Sequence, residues 1–268
     1  MIRLAAFDID RTILPTHGGE LAPETVAAIG RLREQGIATA IASGRMLHLI
    51  TPELRALGFD YYILSNGAFV YDREGRLISQ ETLNQDVVRA FREEMCKRGF
   101  AFDVRYANGM LQGNPHADVR VEMAGYWEEK GINRSVDPDF QWYFQPPEGQ
   151  QVTSFDACIP VERQEEMRVL FPQLEFLPVT DGPMCDINPA GVSKATGIHR
   201  ICGHMGITME QVIAFGDDRN DLEMIKEAGI GVAMGNALPS VQSVADYVTD
   251  NCADLGVVKA LRHFGLIE

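Results

Sequence analysis

The chain has little that would mark it for a membrane or an oxidising compartment. Its five cysteines, Cys96, Cys158, Cys185, Cys202 and Cys252, are scattered, odd in number and never spaced as a CxxC pair. That argues against a disulfide framework or a zinc knuckle and for reduced thiols. No apolar run approaches the ~18–20 residues of a membrane-spanning helix. Met1 leads directly into an apolar stretch, so no signal peptide is expected and a cytoplasmic location is. Basic residues are scarce beside acidic ones: 24 Lys and Arg face 38 Asp and Glu, for a net charge of -14. Such a balance argues against nucleic acid or an anionic membrane as a partner, though not against a small anion at a locally positive site. There is no internal repeat and no low-complexity segment.

What is present fits a globular protein. The 268 residues suffice for one large domain or two smaller ones, and 46% hydrophobic with 23% charged residues is ordinary for a soluble fold. The most informative stretch is Leu4–Leu14, LAAFDIDRTIL. A short apolar run reads as a buried parallel strand. Asp8, Asp10 and Thr12 follow it, at the strand end where open α/β sheets place their ligand crevice. Two carboxylates so close repel unless a cation neutralises them, with Mg²⁺ the simplest candidate; a strand followed by an ordinary Asx turn is the alternative.

The pattern then alternates. Pro23–Gln35 carries Val26, Ile29 and Leu32 at helical spacing, with Pro23 suited to the first turn and Gly36 to the stop. Ile37–Ala42 is a second apolar strand, followed by Ser43-Gly44-Arg45 and a helix expected over Met46–Leu57. A strand, a short Ser-Gly turn and a helix present backbone N–H groups and a positive helix end to an anion, although such turns are common. Tyr61–Leu64 is a third strand, ending at Ser65-Asn66-Gly67, and Ala68–Tyr71 with Arg76–Gln80 reads as a β-hairpin.

From about Leu83 the alternation stops. A helix is expected over Asp86–Arg98, with Val87, Phe91 and Met95 on one face, then a strand over Ala101–Tyr106. Asn108–Gln150 reads as irregular, with Trp127, Trp142, Tyr143 and Pro146-Pro147. Val152–Ile159, Phe176–Val179 and Met184–Ile187 are strand candidates, and Glu162–Leu170 a helix. This is the pattern of a separate α+β insertion, whose aromatics Phe91, Phe100, Phe102 and Tyr106 are expected to fill its own core. Alternation resumes with a helix over Val192–Met205 that contains Lys194, a strand at Gln211–Phe215, and then Gly216-Asp217-Asp218-Arg219-Asn220-Asp221. A helix at Leu222–Ala228, strands at Ile230–Met234 and Tyr247–Thr249, and helices at Pro239–Val244 and Leu255–Phe264 complete the chain.

Two acidic clusters thus follow two buried strands: Asp8/Asp10, and Asp217/Asp218/Asp221 with Asn220. If both strands share one parallel sheet, the clusters converge and make an oxygen-ligand site suited to Mg²⁺ with a phosphate. The order Asp8-Ile9-Asp10-Arg11-Thr12, Ser43, Lys194, Gly216–Asp221 resembles the four motifs of the haloacid dehalogenase superfamily. Asn66-Gly67-Ala68 and the hairpin, together with Gly231–Ala237, resemble its Cof-type phosphatase branch.

The resemblance implies an α/β fold: a Rossmann-like parallel-sheet core with helices on both faces, formed by residues 1–82 and 187–268, and an inserted α/β cap at 83–186. It implies that Asp8 is the nucleophile and forms an aspartyl phosphate, and that Asp10 is the acid and base. Asp8, the Asp10 backbone carbonyl and Asp217 would hold Mg²⁺, with Asp221 supporting them. Thr12, Ser43, Gly44, Lys194 and Asn220 would contact phosphate, Lys194 also serving catalysis as a cation beside the nucleophile. Cap residues do not carry over by motif; His116, Asp118 and Arg120 are candidates by polarity alone. One departure stands out: where the family has Gly after the second Asp, this chain has Arg11, expected to point to water rather than to the cap or a substrate anion.

The expected activity is Mg²⁺-dependent hydrolysis of a small phosphorylated metabolite, a sugar phosphate or similar phosphomonoester, by a monomer or weak homodimer. A phosphomutase on the same fold would release no net phosphate, and product analysis separates the two. A non-catalytic module that only holds Mg²⁺ and a phosphorylated ligand would not need both Asp8 and Asp10.

Overall fold

The computed structural model describes residues 1–15, 19–107, 109–119, 121–122, 141–143, 147–179 and 182–268. In chain order, the first elements are β1 (Leu4–Phe7), α1 (Pro23–Glu34), β2 (Ala38–Ala42), α2 (Pro52–Ala56), β3 (Tyr61–Leu64), β4 (Phe69–Asp72) and β5 (Leu77–Gln80). Next come α3 (Gln85–Arg98), β6 (Phe102–Tyr106), β7 (Gly109–Gln112), β8 (Gln141–Tyr143), β9 (Ser154–Cys158), α4 (Val161–Leu170), β10 (Leu174–Pro178) and β11 (Met184–Pro189). The last are α5 (Lys194–Met205), β12 (Val212–Gly216), α6 (Leu222–Glu227), β13 (Ile230–Ala233), α7 (Pro239–Gln242), β14 (Tyr247–Val248) and α8 (Gly256–His263). No helix among the described residues is long and apolar enough to cross a membrane.

The chain forms two compact units. The first comprises Met1–Arg45, Ile50–Gln80 and Ser193–Glu268. Its sheet runs β14-β13-β12-β1-β2-β3-β4-β5, parallel from β14 through β3 and antiparallel at the β3–β4–β5 hairpins. β1 is central and wholly buried, so its Leu4-Ala5-Ala6-Phe7 sequence has no polar face to present. In register with it lie β12, with Phe7 opposite Phe215, and β2, with Phe7 opposite Ile41. The Phe7 and Phe215 rings stack at 4.9 Å. α1 packs on β2 and α8, while α5 packs on β3, β4 and α6.

The second unit comprises Met46–Leu49 and Glu81–Val192. Its sheet runs β10-β11-β9-β6-β7-β8, antiparallel except between β7 and β8. Phe91 on α3 anchors its apolar core, stacked on Phe155 at 4.4 Å and set edge-on to Phe102 and Phe171. Phe102 and Tyr106 join that core and Phe100 packs against it; on α3 the fully inward residues are Val88, Phe91 and Met95, with Val87 only partly covered.

Two expected segments differ. The single helix expected at Met46–Leu57 is instead one helical turn at Leu47–Leu49 followed by α2. Pro52 is the reason: it disfavours helical geometry in the residue before it, and Thr51 is extended at φ -62°, ψ 156°. Thr51 then caps the new helix by accepting from the Leu54 N–H at 3.4 Å. Within the stretch expected to be irregular, Gly109–Gln112 forms β7, an antiparallel partner of β6, and Gln141–Tyr143 forms β8. Trp127, Arg120 and Pro146 lie outside the described residues.

Candidate active site

The carboxyl ends of β1 and β12 are adjacent, which brings the two acidic clusters together. Asp8 follows β1, and its N–H donates to the Phe215 carbonyl on β12 at 2.9 Å. Lys194 is the first residue of α5. Ser193 caps that helix in a reciprocal arrangement with Thr196, and this fixes where Lys194 begins. The turn at Gly67 lies against the same cap: its φ is +105°, and a Cβ there would meet the Ser193 carbonyl oxygen at 2.0 Å. Only glycine fits both demands.

Lys194 is the hub. Although a helix-borne lysine ordinarily reaches water, this one is 1% exposed. Its Nζ donates to Asp8 Oδ1 and to Asp221 Oδ1, each at 2.6 Å. Burial works against its charge, but Asp221 and Asp8 outweigh that and hold the ammonium protonated, above its ordinary range. Burial raises the Asp8 carboxyl well above the usual carboxylate range; Lys194 opposes the shift, while Asp221, Asp217 and Asp10 add to it. Asp221 uses its second oxygen to accept the N–H groups of Asp217 at 2.9 Å and Asp218 at 3.0 Å. It therefore holds both the lysine and the loop that carries Asp217.

One carboxylate oxygen from each of Asp8, Asp217 and Asp221 lies within 4.8 Å of the other two. A set of hard oxygen donors suits Mg²⁺. Asp217 tests that fit. Among the described residues its Oδ2 is buried without a hydrogen bond, and the Arg11 guanidinium stands 3.3 Å away. Burial pushes its carboxyl up to about 7, the Asp221 charge adding and Arg11 opposing. A buried carboxylate so short of positive partners matches what a divalent cation supplies.

Arg11 does not simply point to water. Its guanidinium bonds the Asn236 carbonyl at 2.7 Å and pairs with Asp217, while Asn236 Nδ2 returns a bond to the Arg11 carbonyl at 2.9 Å. The expectation missed this because Asn236 is distant in sequence. The backbone is left-handed here, φ 63°, so the residue accepts the conformation a glycine would take freely.

The other predicted residues cluster nearby. Thr12 is buried and its hydroxyl donates to Asp217 Oδ1 at 3.5 Å. Ser43 is buried, and its hydroxyl accepts the Arg45 N–H at 3.2 Å. A Cβ on Gly44 would meet Asn66 Oδ1 at 3.1 Å. Asn220 donates to that same oxygen at 2.9 Å. Two neighbours went unassigned in the sequence reading. Arg45 grips Asp10 through two bonds, Nε to Oδ2 at 3.0 Å and Nη2 to Oδ1 at 2.6 Å, which orients that carboxylate. Asn66, left-handed at φ 54°, links the loops by donating its N–H to the Ser43 carbonyl at 3.0 Å and accepting from Asn220. The Ser-Gly-Arg and Ser-Asn-Gly turns were visible signals for both. In the second unit, His116 is exposed and Asp118 half-buried, and Arg120 lies outside the described residues.

Comparison with known proteins points to one family. A family model described as haloacid dehalogenase-like hydrolase matches residues 5–261. The chain is 28% identical over 267 residues to the 5-amino-6-(5-phospho-D-ribitylamino)uracil phosphatase YcsE of Bacillus subtilis, covering 99% of this chain and 96% of that one. A longer Streptococcus pyogenes protein, named for phosphatase and peptidyl-prolyl cis-trans isomerase activities, is 30% identical over 276 residues. The match takes in 100% of this chain, which spans 55% of that protein's length. Among solved structures, BT1666 of Bacteroides thetaiotaomicron, described among phosphatases of the HAD superfamily, superposes with a TM-score of 0.87 at 30% identity, covering 100% of this chain and 96% of that one.

Proposed function

The chain belongs to the haloacid dehalogenase-like hydrolase family and is one of its phosphatases, and from that premise we propose that it hydrolyses a small phosphorylated metabolite through Asp8. The substrate class is a sugar phosphate or similar phosphomonoester. The observation that carries this reading is the buried Lys194 ammonium, 2.6 Å from both Asp8 and Asp221, at the paired ends of β1 and β12.

In the first half-reaction an oxygen of Asp8 attacks phosphorus and the ester P–O bond breaks, leaving an aspartyl phosphate. Asp10 gives a proton to the departing alkoxide. In the second half, Asp10 takes a proton from water as that water attacks phosphorus; the bond to Asp8 breaks and inorganic phosphate leaves. Lys194 neutralises charge on Asp8 and on the phosphoryl oxygens throughout. Thr12, the Ser43 hydroxyl, the Gly44 N–H and Asn220 bind those oxygens. Arg45 aims Asp10. Asp8, the Asp10 carbonyl and Asp217 would hold Mg²⁺, with Asp221 behind them. When bound, the ion supplies positive charge that lowers the repulsion between an anionic nucleophile and an anionic phosphate. The inserted unit would act as a cap that selects the leaving group.

The test is net release of inorganic phosphate from a panel of phosphomonoesters, with and without divalent cation. Stoichiometric phosphate is expected with Mg²⁺, and loss of activity by about a hundredfold or more in excess chelator. Rearranged phosphate ester without free phosphate would mean a mutase, and full activity in chelator would overturn the metal assignment.

A further inference from the structure

Arg11 is a long cationic side chain on a backbone that favours glycine. Its φ is 63°, and a residue with a Cβ adopts that left-handed conformation at a cost. Such strain persists where the surrounding structure over-determines it, and it clusters at functional positions. Here the surroundings are specific. Arg11 Nη2 donates to the Asn236 carbonyl at 2.7 Å, and Asn236 Nδ2 donates to the Arg11 carbonyl at 2.9 Å. Asn236 Oδ1 in turn accepts the Cys252 N–H at 2.8 Å, which fixes the amide that holds Arg11. The loop after β1 and the loop after β13 are thus pinned to each other, main chain to side chain in both directions. All three residues belong to the unit that carries Asp8.

The pin aims the guanidinium. With Nη2 engaged by Asn236, Nη1 stands 3.3 Å from Asp217 Oδ2. The Arg11 side chain is 47% exposed and that of Asp217 only 2%, so a charge rooted at the surface reaches a carboxylate that water does not. Asp217 is itself held in place. The Thr12 hydroxyl donates to its Oδ1 at 3.5 Å, and the Leu238 N–H donates to its carbonyl at 2.9 Å. A guanidinium keeps its charge at every pH a folded protein meets, so the cation beside Asp217 is permanent.

We propose that Arg11 is a resident counter-cation of Asp217 that competes with Mg²⁺, so that this chain binds the metal more weakly than it would with a neutral residue at position 11. The proposal rests on the Mg²⁺ assignment made within the phosphatase reading above. Its physical basis is the same for either oxygen of Asp217. A divalent ion on Oδ2 takes the carboxylate away from the guanidinium. On Oδ1 it leaves the guanidinium facing a dication across one carboxylate. Both weaken metal binding. The guanidinium cannot turn away without breaking its bond to the Asn236 carbonyl. Metal occupancy therefore follows the free Mg²⁺ concentration over a higher range than carboxylates without Arg11 would set.

Isothermal titration calorimetry with magnesium chloride on the full chain tests this in wild type, Arg11→Gln and Arg11→Lys. Glutamine removes the charge and keeps an amide that can donate to the Asn236 carbonyl. The Mg²⁺ Kd is expected to fall about tenfold in Arg11→Gln, the scale of one charge-assisted contact. In Arg11→Lys, which keeps the charge, it should stay within about threefold of wild type. The gap between wild type and Arg11→Gln should narrow by about half on a logarithmic scale from about 0.05 M to about 0.5 M salt, because salt screens a half-exposed charge. A purely structural effect of the substitution would not follow salt. Uptake of Mg²⁺ by Arg11→Gln alone also supports the proposal. An equal Kd in wild type and Arg11→Gln, or weaker binding in the variant, overturns it while leaving the metal assignment standing. No uptake by any of the proteins removes both. Arg11→Gly gives the same reading with the backbone strain relieved, should Arg11→Gln fail to fold. Phosphate release by wild type, measured separately, reads the phosphatase assignment apart from either outcome.

Discussion

In the unit that carries Asp8, one buried lysine answers two carboxylates at 2.6 Å each, and both oxygens of Asp221 have donors. In the unit that carries Arg105, one buried arginine answers two carboxylates, and the neighbouring Asn188 amide has no hydrogen-bond partner among the described residues. Both clusters are buried polar networks, yet their hydrogen-bond accounts differ. The Lys194 network is closed around its cation, and the neighbouring Asp217 Oδ2 faces the Arg11 guanidinium at 3.3 Å. That is what a reaction centre needs, because groups already in place do not reorganise during the reaction. Beside Arg105, the Asn188 amide and the Ser154 hydroxyl lack hydrogen-bond partners among the described residues.

The contrast can be broken most severely at Lys194. Lys194→Met leaves Asp8 and Asp221 buried without their cation, and should cost about 3–5 kcal/mol in urea unfolding. Phosphate release from any ester should fall by about a hundredfold or more. An active, fully stable Lys194→Met would show that the lysine is incidental. At Asn188 the stability effect should have the opposite sign. Asn188→Leu removes an unpaired buried amide, and unfolding should become harder by up to about 1 kcal/mol. A loss as large as at Lys194 would mean that the amide is bonded in the folded state and that the two networks are alike. The smallest effect is expected at Arg11. Arg11→Gly relieves a left-handed backbone worth about 1 kcal/mol and gives up a pair between a half-exposed guanidinium and the buried Asp217, worth about 1–2 kcal/mol. Stability should therefore stay within about 1 kcal/mol of wild type, measured by the same denaturation.

How much of this could be read in the sequence follows from where each feature's information lies. Asp8, Asp10, Asp217 and Asp221 were legible because each sits just past an unbroken apolar run, and such runs mark buried strands whose ends share an edge. Lys194 was legible only through the order of the motifs, since nothing in Val192–Met205 separates a buried lysine from an exposed one. Arg45 and Asn66 were visible but carried no assignment, because their partners, Asp10 and Asn220, come from loops that meet only when the chain folds. Pro52 announces the break in Met46–Leu57, where one helix was expected to follow the Ser-Gly turn. The polar face of the second unit was hidden for a different reason. Asp103-Val104-Arg105, Ser154-Phe155-Asp156 and Asp186-Ile187-Asn188 alternate as strands with one wet side do, and alternation by itself does not say whether that side meets water. Burial, not pattern, distinguishes it.

The central claim is that Asp8 attacks phosphorus. Its most direct test is phosphate release by Asp8→Asn beside wild type, on an ester that wild type turns over, in saturating Mg²⁺. The substitution keeps size and removes the nucleophilic charge, so the far-ultraviolet circular dichroism should be unchanged and release should fall to the uncatalysed background. Release at a rate near that of wild type would contradict the account.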